Sequence, residues 1–329
     1  MKRTVLVGLW VLLFSGFIIV RAQEKQELVV FAAASLTDAY EDIAAAFEQE
    51  NPNVDVLFNF GGSSTLATQL VQGAPADVFA SANNTQMKVV VDGGRIAGTP
   101  RIFAQNRLVL IVPASNPAHI QSLHDLANPG VNLILAAPDV PVRVYTDTML
   151  EQMAADPAYG EAYRDAVLGN LVSEEPNVRQ VSAKIALGEA DAGVVYLSDV
   201  TPDISSNVIA LPIPDAFNTI ATYPIAVIND SRHPELAEQF VEFVLSDAGQ
   251  DILITWGFVS VRTPASGTGS VPSMNEQTLN VLSPLVYGLC YGYMTHTPGS
   301  RFLYNNKAVC TTLVGILVQS VISRAHPPG

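Results

Sequence analysis

A chain of 329 residues with 49% hydrophobic content has apolar material for two cores of ordinary size, which excludes a disordered polypeptide over most of its length. Its formal net charge of -14 argues against nucleic acid as a partner, since phosphate backbones are bound by Lys and Arg that release counterions. The two cysteines, Cys290 and Cys310, both fall near the C-terminus, so the body of the chain is expected to use neither disulfide nor thiolate chemistry.

Residues 1–22 read as a secretory signal: Lys2 and Arg3, an apolar run over 5–20, then Val20-Arg21-Ala22 with small residues where a signal peptidase cuts. An uncleaved anchor is the other reading, but the run falls short of the ~20 residues of a membrane span. No Cys follows the run, which removes the acylated-Cys route to a tether. The mature chain is therefore expected to be periplasmic or otherwise extracytoplasmic.

Residues 27–32 are a Val-rich run that predicts a strand. Ser35 follows, with Asp38 three residues on in the spacing of a capping box, so a capped helix is expected next. Leu36, Tyr40, Ile43 and Phe47 give that helix one apolar stripe, and Asn51-Pro52 stops it. Residues 54–60 alternate toward a second strand, and Gly61-Gly62 leads into a helix carrying Leu66 and Leu70. A short strand is predicted at 76–80 and a stronger one at 107–112, so continuously apolar that it reads as a buried parallel strand. A strand at 132–137, helices at 145–154 and 178–187, and strands at 192–196, 208–211 and 222–227 follow. Residues 234–245 read as an amphipathic helix with Leu236, Phe240, Phe243 and Val244 on its apolar side. This alternation is α/β. From 263 to 273 the chain is rich in Gly, Ser, Thr and Pro, which reads as a linker, and 274–329 is a C-terminal tail to which no role is assigned.

Two turns carry the chemistry. Ala32-Ala33-Ala34-Ser35-Leu36 and Gly61-Gly62-Ser63-Ser64-Thr65 each sit where a predicted strand ends and a predicted helix begins. Helix N-termini present unpaired N–H groups and roughly half a positive charge, and ligands of open α/β sheets bind beyond the carboxyl ends of strands. The pattern points to an anion held by neutral donors. His119, His124 and His233 are scattered, with no spacing that would pair two metal ligands, and read as solvated surface. Taken by residue type alone, Ser35 is more commonly a helix cap than a ligand, and Ser63 is as readily a solvated loop hydroxyl. On the same footing Tyr196 is a core aromatic in a strand, and Val142 and Val178 are core residues.

Phe31-Ala32-Ala33-Ala34-Ser35-Leu36-Thr37, Phe60-Gly61-Gly62-Ser63-Ser64-Thr65-Leu66 and Gly73-Ala74-Pro75-Ala76-Asp77-Val78-Phe79-Ala80-Ser81 together resemble the periplasmic molybdate-binding proteins of ABC importers. The resemblance runs from about residue 28 to 261 and continues through Val140-Pro141-Val142, Asn177-Val178-Arg179, Gly193-Val194-Val195-Tyr196 and Trp256-Gly257-Phe258. It implies an α/β, two-lobed periplasmic binding protein of type II, each lobe a mixed, mainly parallel sheet flanked by helices. Lobe 1 would comprise 23–106 plus 222–262 and lobe 2 107–221, with the ligand in the cleft between them. It further implies that molybdate, with tungstate, is bound by the hydroxyls and N–H groups of Ser35 and Ser63, the N–H groups of Val142 and Val178, and the Tyr196 hydroxyl. The metal is reached only through the oxyanion's oxygens, and no cofactor is implied. A monomer that closes on the ion and is read by a membrane permease is the expected working form.

The chain departs from the family's pattern at Val142-Arg143, where a small Ala-Gly pair is usual; Gly permits the closest backbone approach, and the Val142 N–H remains a donor. Asn177 stands where an acidic residue is usual and caps a helix equally well. Gly61-Gly62 replaces small polar residues. Two other readings stay open. One is a binding protein for sulfate, phosphate or an organic acid, which a salt-bridging Arg in the cleft would favour; Arg143 and Arg179 lie beside the donors and are expected to point away. The other is an exported serine hydrolase using Ser35 or Ser63, against which stand the missing Gly-x-Ser-x-Gly elbow and the lack of a His at a comparable strand end.

Overall fold

The computed structural model describes residues 25–262. The signal segment, the linker, the tail and both cysteines lie outside them.

The chain opens with β1 (Gln26–Ala33), a 3-10 turn (Ala34–Leu36) and α1 (Thr37–Glu50), then β2 (Val54–Gly61) and α2 (Ser63–Val71). β3 (Val78–Ala80), α3 (Asn84–Asp92) and β4 (Ile96–Asn106) complete the first pass. β5 (Leu108–Pro113), β6 (Leu133–Ala136), α4 (Pro141–Ala155), α5 (Glu161–Gly169), β7 (Leu171–Glu175), α6 (Val178–Ala186) and β8 (Ala192–Tyr196) follow. After α7 (Pro202–Ser205) and β9 (Val208–Pro212), the chain returns through β10 (Ala221–Ile228), α8 (Pro234–Leu245), α9 (Asp247–Thr255) and β11 (Val259–Ser260).

The strands make two sheets, in the order β11-β4-β10-β3-β1-β2 and β7-β6-β8-β5-β9. The chain passes from the first to the second between β4 and β5 and returns between β9 and β10. Asn218, on the return, ties the two crossings together: its Oδ1 accepts the Leu108 N–H at 3.0 Å and its Nδ2 donates to the Leu108 carbonyl at 2.9 Å. In the first sheet β1 is parallel to β2 and β3, and in the second β6 is parallel to β7 and β8.

The stripe expected on α1 is buried throughout: Tyr40 packs against Phe58, Phe103 and Phe240, and Phe47 meets Phe240 edge-on at 5.3 Å. Removing each such side chain from water contributes about 1.5–3 kcal/mol.

The strand expected at 107–112 forms as β5, but it runs antiparallel to both neighbours, β8 and β9, rather than parallel. All six of its residues are buried. Continuous apolarity records cover on both faces, which flanking helices supply whichever way the strand runs. The helix expected from 145 begins four residues earlier, because Pro141 occupies its first position with φ already helical and no N–H to lose.

Candidate functional site

Four parallel strands end in helix starts, β1 and β2 in the first sheet and β6 and β7 in the second, and these four joints face one cavity. Its wall is formed by Ala33, Ala34, Ser35, Gly61, Gly62, Ser63 and Ala82 from the side of the first sheet, and by Val140, Pro141, Val142, Asn177, Val178 and Tyr196 from the side of the second. All five residues singled out in the sequence, Ser35, Ser63, Val142, Val178 and Tyr196, are on it. None of the thirteen lining side chains is charged. The space there is about 10 Å³, on the order of what one water requires, so the spot is too small for a sugar or a peptide. A larger recess of about 260 Å³ beside β4, β10 and α8 includes Arg101, which is ion-paired to Glu238 and Glu242, and none of these donors.

The helix starts leave their donors free. Ser63 is the first residue of α2, with Gly62 as its cap, and no side chain caps that helix. Val142 is the second residue of α4, again without a side-chain cap, so its N–H has no intrahelical acceptor. Val178 is the first residue of α6; Asn177 does cap this helix, its Oδ1 accepting the Gln180 N–H at 3.1 Å, and the Val178 N–H is left over. The capping box expected at Ser35 and Asp38 does not form: Ser35 lies inside the 3-10 turn, which no side chain caps, and Asp38 is drawn into an ion pair with Arg179. A short turn between strand and helix displaces Ser35 from the capping position and turns its hydroxyl toward Tyr223, 3.1 Å away.

The hydroxyl protons have few places to go. Ser63, buried, accepts the Ala82 N–H at 3.0 Å through its Oγ. Tyr196, 1% exposed at the end of β8, makes no hydrogen bond with its hydroxyl among the described residues. Burial foremost, and then the neighbouring Tyr223, raise its pKa well above the usual tyrosine value, so it stays a protonated donor at physiological pH.

Neither arginine lines the cavity. Arg143 turns into its own half of the molecule, onto Asp147, Glu174 and the Ala136 carbonyl. Arg179, next to Val178, also lies off the lining. It reaches across to the first half, pairing with Asp38 and donating through Nε to the Ala34 carbonyl at 3.3 Å. It also faces Asp199 at 3.5 Å on its own side.

Gly62 marks a close approach between the halves, because a Cβ there would collide with the Pro176 carbonyl oxygen. Its φ of -61° is open to any residue, so the constraint is the approach and not the backbone. Sequence reasoning missed this contact, the support of Ser63 by Ala82, and Tyr223. The Gly-Gly pair before Ser63 was the visible signal for the first, and nothing in the chain's patterning marked the other two.

A model of the bacterial extracellular solute-binding protein family matches residues 28–259. Over 236 residues the chain is 42% identical to the molybdate-binding protein ModA of Mycobacterium tuberculosis, an alignment covering 72% of this chain and 85% of that protein. Among solved structures, the periplasmic molybdate-binding protein of Azotobacter vinelandii superposes with a TM-score of 0.61 at 21% identity, over 71% of this chain and 100% of that one. The sulfate-binding protein SubI of Mycobacterium tuberculosis superposes with a TM-score of 0.62 at 19% identity, over 72% and 87%. At such identities the structural likeness establishes a shared fold and does not choose between ligands.

Proposed function

The chain belongs to the bacterial extracellular solute-binding protein family, and from that premise we propose that it captures molybdate, with tungstate, and delivers it to the permease of an ABC importer. The two sheets act as the lobes, 23–106 with 222–262 and 107–221, and the ion lies between them against Ser35, Ser63, Val142, Val178 and Tyr196. One observation carries the reading: three α-helix starts, a 3-10 turn, two serine hydroxyls and a phenol surround a cavity without a charged side chain. At roughly half a charge each, three α-helix starts approach a dianion in order of magnitude.

Two side-chain acceptors on the wall are already engaged. Ser63 Oγ takes the Ala82 N–H and Asn177 Oδ1 takes the Gln180 N–H. An anion bearing a proton would compete for the few acceptors left and, unpaired, would bury that proton at ~1–3 kcal/mol, whereas a fully deprotonated tetrahedral oxyanion carries none. Sulfate is also deprotonated and is rejected by size alone; molybdate and tungstate are nearly alike in size and are separated poorly. No His, Asp or Glu lines the cavity to serve as a general base for Ser35 or Ser63, which favours a carrier over a hydrolase. The working form is a monomer outside the cytoplasm, acidic and without affinity for nucleic acid.

Titration calorimetry of the purified protein with molybdate, tungstate, sulfate and inorganic phosphate tests this. Molybdate and tungstate should bind with similar affinity, sulfate more weakly and phosphate least. Ser35→Ala with Ser63→Ala should cost roughly 1.5–3 kcal/mol per hydroxyl in molybdate binding. Phosphate bound as tightly as molybdate, or unchanged affinity in the double variant, would contradict it.

A further inference from the structure

We infer that Tyr223, itself oriented by Asn106, fixes the Ser35 hydroxyl as a donor toward the cavity and is a positioning residue for the bound anion, an inference that rests on the oxyanion reading above. One backbone amide fixes the Asn106 end of the chain of hydrogen bonds. The Arg107 N–H can only donate, and it donates to Asn106 Oδ1 at 2.9 Å. The Asn106 amide is thereby oriented, and its Nδ2 donates to Ser198 Oγ at 2.8 Å and to the Tyr223 hydroxyl at 3.4 Å. With its oxygen accepting from Asn106, Tyr223 has a proton to place. We assign that proton to Ser35 Oγ, 3.1 Å away, a contact whose geometry suits either direction. The Tyr196 hydroxyl is a neighbour but lies outside hydrogen-bonding geometry.

The Tyr223 ring cannot swing away from this duty. It is fully buried, edge-on to Phe103 at 6.2 Å and to Phe258 at 5.4 Å, with Tyr196 at 5.7 Å. Burial also pushes the phenol's pKa well up, so the proton stays in place at physiological pH.

The consequence falls on Ser35. Its oxygen is engaged as an acceptor by Tyr223, so its own proton is the group left for the cavity it lines. Ser63 is held in the same sense by the Ala82 N–H, a backbone donor that no side-chain exchange removes. Tyr223 is thus the substitutable half of a device that keeps both serines donating and denies an acceptor to protonated anions. Asn106 is the last residue of β4, where the chain leaves the first sheet, so the device is anchored at the crossing between the halves.

Tyr223→Phe removes one oxygen and keeps the ring. The experiment titrates wild type, Tyr223→Phe, Ser35→Ala and the double variant with molybdate and with inorganic phosphate, below and above neutrality, with a thermal melt to verify the fold. Tyr223→Phe is expected to weaken molybdate about tenfold. It should also lower the molybdate-to-phosphate preference, most below neutrality where phosphate carries more protons. In the Ser35→Ala background the same exchange should change neither quantity. A variant with wild-type affinity and preference overturns the inference alone, as does an equal loss in the Ser35→Ala background, which would mean that Tyr223 acts by packing. A wild type that does not bind molybdate overturns the oxyanion reading and this inference together.

Discussion

At the scale of single residues, Asp199 is the side chain whose burial carries a cost. It is fully buried; its Oδ2 accepts the Tyr196 N–H at 3.0 Å and its Oδ1 faces Arg179. Burial pushes its carboxyl up to about 6 from the ordinary 3.8, against the opposing pull of Arg179 and the Tyr196 amide. Because the folded value is the higher one, the group's contribution to stability is full below about 3.8 and is lost as pH rises through about 6. Asp199→Asn keeps the acceptor for Tyr196 and removes the ionisation. Its stability relative to wild type should therefore improve on going from about pH 4.5 to about pH 7.5. Urea midpoints at the two pH values check this, and a relative stability that is flat or falls with pH would count against it.

The same scale shows what a sequence can carry. Ser35, Ser63 and Tyr196 have side chains whose chemistry announces a donor, although only a family resemblance distinguished Tyr196 from a core aromatic. Val142 and Val178 offer nothing but backbone N–H groups, which residue type conceals, so the motifs around them were the only guide. Tyr223 lies 188 positions from Ser35, and that pairing exists only once the first sheet has placed β10 two strands from β1.

Among elements, the joint between β2 and α2 meets the joint between β7 and α6 at Gly62 and Pro176. Gly62→Ala would set a methyl against the Pro176 carbonyl when the halves are shut and leave it in solvent when they part. A ligand can drive closure only by its preference for the closed form, so obstructing that form lowers apparent affinity. Molybdate binding is expected to fall at least ~tenfold while the melting temperature without ligand changes little. Calorimetry beside a thermal melt reads both quantities, and wild-type affinity would show that this contact does not gate closure. Elements with one clear period were legible: β8 spans 192–196 and α8 spans 234–245 as read from the sequence. β4 was not, because Gly98 and Pro100 interrupt it and its first half is largely exposed. β7, an edge strand of five residues ending in two glutamates, lacked the apolarity of a central strand. The direction of β5 was misread because burial on both faces says nothing of its partners' polarity.

For the whole molecule, a formal net charge of -14 and an anion site are reconciled by scale: exposed charge acts over solvent and is screened within about 10 Å, while helix starts act at contact. Two sheets joined by paired crossings place donors on both sides of one cavity, so that on the proposed reading binding and closure are the same event. The central claim is that neutral hydroxyls and main-chain amides from both halves clasp a deprotonated tetrahedral oxyanion. A crystal structure of the protein grown with molybdate tests it most directly. The account predicts the ion against Ser35, Ser63, Val142, Val178 and Tyr196 with no cation in contact. An ion held by the Arg143 or Arg179 guanidinium, or lodged away from the three α-helix starts and the 3-10 turn, would contradict it.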